Sequence, residues 1–103
     1  MHHFDRWRDA LNHARNETEL IDVVRNYISA LNASVVETLP PDCQAALRDP
    51  SDIQAAAVTI LQGELAFRGD GEMGALLHEI AHTFAAASVR LTRLRRESIS
   101  PGD

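Results

Sequence analysis

The residues of this chain whose types and spacing can do chemistry lie together in "LLHEIAHTF", residues 76 to 84. His78 and His82 stand four apart, so on a helix their imidazoles project from one face and can share a zinc ion. Glu79, between them, carries a carboxylate able to act as general base on a metal-bound water. The implied chemistry is zinc-assisted hydrolysis, with His78 and His82 as ligands and Glu79 as base.

The stretch resembles the zincin metallopeptidases beyond the bare H-E-x-x-H pattern, because uncharged residues flank it: Leu76, Leu77, Ile80, Ala81, Thr83 and Phe84. The rest of the family's pattern does not follow. A metzincin continues H-x-x-G-x-x-H, and those positions hold Ala85 and Ser88. A gluzincin takes its third ligand from a later helix. The only later glutamate is Glu97, about 22 Å along what reads as the same helix. No strand is expected that would align an extended substrate.

Helix phase adds a second argument. Met73, Leu77, Ile80, Phe84, Ala87, Leu91 and Leu94 follow at spacings of 4 and 3 in alternation, a heptad seam sustained over three repeats. His78 and His82 fall on the opposite side, with Ala85, Val89 and Arg93 or Arg96. Ala81, Ala85, Ala86 and Val89 nevertheless make the middle of the helix apolar nearly all round, a pattern of burial on two sides. A facing helix would then bring His13, Cys43 or a carboxylate within reach of the histidines. The main reading takes His78 and His82 as ordinary surface or interface side chains. Zinc bound by them, either with Glu79 as catalytic base or at a non-catalytic site, is the alternative.

The elements that must position these residues read as helix almost throughout. "FDRWRDALNHA" places Phe4, Trp7, Leu11 and Ala14 on one stripe of a first helix. Asn16 is an N-cap and Glu19 completes a capping box. A second helix is expected from about Glu17 to Leu39, its stripe being Leu20, Val24, Tyr27, Leu31 and Val35, widened by Ile21 and Ile28. Pro40 and Pro41 stop it. "DCQAALR" makes at most two turns. Asp49 as cap and Pro50 at the first helical position open a third helix of about 50 to 67, with Ile53, Ala57, Ile60, Leu61 and Leu65 inward. Gly69 ends it in the left-handed conformation and Asp70 caps a long last helix from about Glu72 to Arg96.

The expected fold is therefore all-α: a four-helix antiparallel bundle with a long C-terminal helix and a short helical turn after Pro41. Residues 1–97 form a single domain and 98–103 a disordered tail. Arg68-Gly69-Asp70 is read as the turn between helices and not as an integrin motif.

Composition sets outer bounds. The chain has 103 residues, 45% hydrophobic and 24% charged, as in ordinary globular domains. No apolar run approaches about 18 residues, so no membrane association is expected. Cys43 is the only cysteine, which rules out an intramolecular disulfide, and the N-terminal stretch lacks an apolar leader core. Both suit a cytoplasmic protein. His2 and His3 are not counted as ligands. Residues 17 to 79 carry eleven acids against three arginines, whereas 90 to 96 carry Arg90, Arg93, Arg95 and Arg96 and no acid. An acidic body and the absence of aromatics among those arginines argue against nucleic acid.

The expected function is that of a small non-enzymatic helical protein working through protein–protein contacts, self-associating as a homodimer along its long helix. Exposed apolar area of that kind marks an interaction site. The residues expected to carry the contact are Leu77, Ala81, Phe84, Ala85, Val89, Arg93 and Arg96.

Overall fold

The structure, a computed structural model, describes residues 3–69 and 71–99. The side chains of residues 3–5, 35, 98 and 99 fall outside that description, as do the Asp70 cap and residues 100–103 of the expected tail. The described residues are all-helical, without a strand. The segments are α1 (His3–His13), α2 (Glu17–Ala30), α3 (Ala33–Val36), α4 (Pro41–Arg48), α5 (Ile53–Ala66) and α6 (Gly71–Ile99).

α6 organises the molecule. Its 29 residues give a rod of about 43 Å, which sets the long dimension of a body measuring 50 × 27 × 21 Å. α5 folds back along it, and α1 and α2 pack on its other flank. The heptad seam lies where its spacing places it: Leu77, Ile80, Phe84, Ala87, Leu91 and Leu94 are buried, with Met73 partly so. Leu11 and Ala14 of the first stripe and Leu20, Val24 and Tyr27 of the second meet that seam in one core. Phe4 and Val35, expected on the same stripes, lie outside the described side chains.

The expected second helix does not run to Leu39. It ends at Ala30: Leu31 turns extended (φ −72°, ψ 149°) and its N–H bonds to the Ile28 carbonyl. The cause is Asn32, whose side-chain oxygen accepts the Ser34 N–H at 2.9 Å and starts a fresh turn, α3. The Gln44 amide then donates to the Glu37 and Leu39 carbonyls at 3.0 and 2.7 Å, fixing the chain where Pro40 and Pro41 redirect it.

The capping residues are read correctly at one helix start and shifted at another. Asn16 Oδ1 accepts the Glu19 N–H at 2.9 Å, but Glu19 reaches back to the Arg15 N–H, not to that of Asn16. Asp49 does not cap the third helix. It sits at the end of α4 and accepts the Ser51 N–H, and hydrogen bonds from Ser51 hold its carboxyl below the usual range. Asp52 is the cap of α5, accepting the Ala55 N–H at 3.1 Å. Pro50 is consequently in the turn, buried, instead of at the first helical position.

α5 also faces differently from the expectation. Ile53 and Ile60 are buried as expected, joined by Ala56 and Glu64, whereas Leu61 and Leu65 are about half exposed. Small residues decide the phase. A Cβ built on Gly63 would stand 2.6 Å from Cys43 Sγ and 3.8 Å from Leu77, so the helix backbone itself is the packing surface there. Cys43 is buried against it, and burial, with the Asp42 carboxylate adding, pushes the thiol's pKa up. Gly69 (φ +85°) makes the turn from α5 into α6.

The Gly63–Cys43 contact is testable. Gly63→Ala gains helix propensity of up to about 1 kcal/mol but overpacks against the thiol at a cost of about 1–3 kcal/mol. Urea denaturation should therefore show Gly63→Ala destabilised. Cys43→Ala and Gly63→Ala together should be more stable than the sum of the two single effects. Strict additivity would contradict the close packing.

Candidate functional site

The two histidines and the glutamate of the pentad face different surroundings. On α6, His78 and His82 lie on the exposed side, as their phase requires, together with Ala85, Val89, Arg93 and Arg96. Their rings are 4.3 Å apart between centroids and meet edge to face at 75°. His78 Nδ1 is hydrogen-bonded to Glu64 Oε2 of α5. The imidazole N–H donates and the carboxylate accepts, which leaves Nε2 of His78 as the open ring nitrogen.

Glu64 is the residue that sequence reasoning passed over. Its side chain is only 11% exposed against 61% for His78, so the pair bridges the core edge and the solvent. A signal was available: Glu64 stands four residues after Ile60, so a buried Ile60 carries Glu64 toward the core. Of the three additional groups expected near the histidines, a carboxylate is the one that arrives. His13 instead bonds to the Asp9 carbonyl within α1, and Cys43 is enclosed by α4 and α5.

Glu79 lines another hollow. Together with Trp7, Tyr27, Ala30, Leu31, Asn32 and Leu76 it surrounds a cleft of about 240 Å³ between α1, α2 and α6. Trp7 and Tyr27 meet there edge to face, 5.5 Å between centroids. Tyr27 is buried, and its hydroxyl has no hydrogen bond of good geometry among the described residues. The neighbouring Thr83 hydroxyl gives its own proton to the Glu79 carbonyl at 3.1 Å. Burial pushes the phenol up to about 12; the Thr83 hydroxyl pulls back and the Glu79 carboxylate adds to the rise.

Among the described residues, no group of three or more His, Cys, Asp or Glu side chains is arranged to hold a metal ion. The His78–His82 pair supplies two imidazoles, and Glu64 is committed to the ring of one of them. A catalytic zinc takes three protein ligands and keeps one position open. The third does not come from this chain's described residues.

The residues expected to make contacts divide sharply. Leu77 and Phe84 are wholly buried and Ala81 nearly so, each packed in the chain's own core. Ala85, Val89, Arg93 and Arg96 are exposed. The arginines divide as well. Arg90 donates twice to the Ala14 carbonyl, at 3.2 and 2.7 Å, and so closes the end of α1. Arg95 pairs with Glu17 at the start of α2. Arg93 and Arg96 have no such partner among the described residues. No described helix is long and apolar enough to cross a membrane.

No family model, curated protein or solved structure matches the chain.

Two measurements check this geometry. His78→Ala leaves the Glu64 carboxylate unsatisfied at the core edge and should cost about 1–3 kcal/mol in denaturant unfolding. No measurable cost would mean that the Glu64 bond contributes nothing. Tyr27, the only tyrosine, should ionise near pH 12 in the tyrosinate absorbance of the folded protein. Its folded pKa lies above the unfolded value of about 10, so the associated stability is complete below about pH 10 and lost as pH rises through 12. Over that window about 2–3 kcal/mol should disappear, at roughly 1.4 kcal/mol per unit, and titration near pH 10 without unfolding would refute the burial.

Proposed function

We propose that this protein works through protein–protein contact and pairs with a second copy of itself across the outer faces of α5 and α6. One observation carries the reading: the large apolar side chains exposed among the described residues are Val58, Leu61, Leu65 and Val89, all on these two helices. Val58, Leu61 and Leu65 recur at spacings of three and four, one stripe of α5. They are 49–56% exposed, and Val89 is 58% exposed.

The Glu64–His78 contact ties the two surfaces together. Leu61 is one turn from Glu64 and His82 one turn from His78, so the leucine stripe and the histidine pair stand at the same level of the α5–α6 hairpin. Ala85 is small and lets another helix approach. The surface thus combines bulky apolar groups with a low spot. Arg93 and Arg96, beyond it, add positive charge opposite the acidic remainder of the chain, which favours attraction between copies.

In this reading α1, α2, α5 and α6 form an antiparallel four-helix scaffold whose own core consumes Leu77, Ala81 and Phe84. Contact falls to Ala85, Val89, Arg93 and Arg96 of α6 and to the leucines of α5. A two-fold arrangement makes the patch self-complementary and closes the assembly at two copies. The lone buried cysteine accords with a cytoplasmic setting.

Sedimentation equilibrium decides the matter. The wild-type chain should fit a monomer–dimer equilibrium. Leu61→Glu and Val89→Glu should each weaken it by at least about tenfold, because each buries a charge in an apolar contact. Both variants should keep the wild-type helical spectrum, since both sites are exposed. A wild type that stays monomeric at high concentration would overturn the proposal.

A further inference from the structure

We infer that His78 and His82 form half of a zinc site that is completed by the same two residues of a second copy, so that one ion bridges two chains. The inference rests on the self-association reading above and adds to it the ligand that would control it.

His78 is held from behind by α5. Its Nδ1–H is given to Glu64, a carboxylate held at the core edge by α5. With Nδ1 engaged by the carboxylate, Nε2 is the ring nitrogen left to meet a ligand, on a side chain that is 61% exposed. A carboxylate behind a ligating imidazole fixes the tautomer and the ring orientation and raises ligand basicity. The chain therefore already contains the supporting group that histidine ligands commonly have, although the ligand itself lies at the surface.

His82 supplies the second imidazole. It is one turn further along the same exposed face, with its ring 4.3 Å from that of His78. Two nitrogens each about 2.0–2.1 Å from one ion stand roughly 3.4 Å apart in a tetrahedral shell, and histidines at i and i+4 on one helix face can share such an ion. Two imidazoles fill half of that shell. Among the described residues no third His, Cys, Asp or Glu is arranged to complete it.

What completes it is argued from the face itself. Beyond His82 come Ala85 and Val89, small and apolar, and beside the pair at the same level runs the exposed Leu61–Leu65 stripe. A second copy seated there on a two-fold axis presents its own His78 and His82 to the first pair. Four neutral imidazoles around zinc satisfy its preference for tetrahedral nitrogen coordination. The ion would be structural, closed to water on all four sides. Glu79 takes no part, since it faces the Trp7–Tyr27 cleft. Glu64 is a positioning residue and does not touch the ion.

The experiment is zinc titration by calorimetry paired with sedimentation equilibrium, with and without a chelator. It uses the full chain carrying His2→Ala, His3→Ala and His13→Ala, so that imidazoles outside the site do not compete. The expected result is one zinc ion per two chains, with the dimer strengthened at least about tenfold by zinc and returned to its metal-free level by chelator. His82→Ala should abolish both effects. Glu64→Gln should weaken zinc binding by about 10–100-fold.

One ion per chain without a change in mass would overturn the bridging site, as would no zinc binding or binding indifferent to His82. The two proposals fail separately. A dimer that forms in chelator and is weakened by Val89→Glu, but ignores zinc, leaves self-association standing and removes the metal. A chain that is monomeric in both conditions removes both.

Discussion

Everything in this fold depends on one seam. Leu77, Ile80, Phe84, Ala87, Leu91 and Leu94 run the length of α6 and are the surface on which α1, α2 and α5 are all packed. None of the shorter helices has a comparable partner elsewhere. α1 meets α2 and α6, and α4 reaches the core mainly through α5. A fully buried leucine, isoleucine or phenylalanine contributes about 1.5–3 kcal/mol relative to exposure, so a seam of this length outweighs any single polar contact in the chain. The radius of gyration, 14.0 Å, slightly exceeds the roughly 13 Å of a compact domain this size because the rod is longer than the helices laid on it.

The polar contacts have a narrower task, which is to close chain ends against the seam. Helix termini leave carbonyls and N–H groups without partners. Arg90 answers this at the end of α1 by giving two N–H groups to the Ala14 carbonyl from a residue 76 positions away. Arg95 does related work one turn later on Glu17. Two of the four clustered arginines are thus structural and two face outward. The cluster is not a single functional unit, although its composition suggests one. Asn16, Asn32 and Asp52 perform the equivalent service at the starts of α2, α3 and α5, each with a side-chain oxygen on a backbone N–H.

These contacts also explain how much could be read from the residues alone. The α6 seam was legible because its partners are all within the chain, so spacing and burial coincide. The outward placement of His78, His82, Ala85 and Val89 follows from the same phase. On α5 the spacing places Ile53, Ala57 and Ile60 correctly and Leu61 and Leu65 wrongly, because Ala55, Ala56, Ala57, Val58, Ile60, Leu61 and Leu65 surround the helix with apolar groups. Hydrophobicity then carries no phase, and the small residues Ala56 and Gly63, which admit α4 and α6, decide it instead. The break after Ala30 was missed because the apolar stripe continues through Leu31. Propensity and periodicity say nothing of Asn32 turning its side chain onto the Ser34 N–H, a local bond that competes with helix propagation.

The pentad shows the same division at the scale of single residues. Its spacing is a property of the helix and was certain to place two imidazoles on one side. What those imidazoles can do is set by α5, through Glu64, and the pairing of Glu64 with His78 follows from the phase that hydrophobicity leaves undetermined. Had α5 turned Leu61 or Leu65 inward as first expected, the carboxylate would have pointed elsewhere and His78 would be an unsupported surface ring. The same rotation would have removed the leucines from the surface. The exposed apolar stripe and the supported histidine are therefore two consequences of one packing choice, made where Gly63 lets Cys43 rest on the helix backbone. That shared origin is why the exposed apolar stripe and the histidine pair lie together at one level of the hairpin.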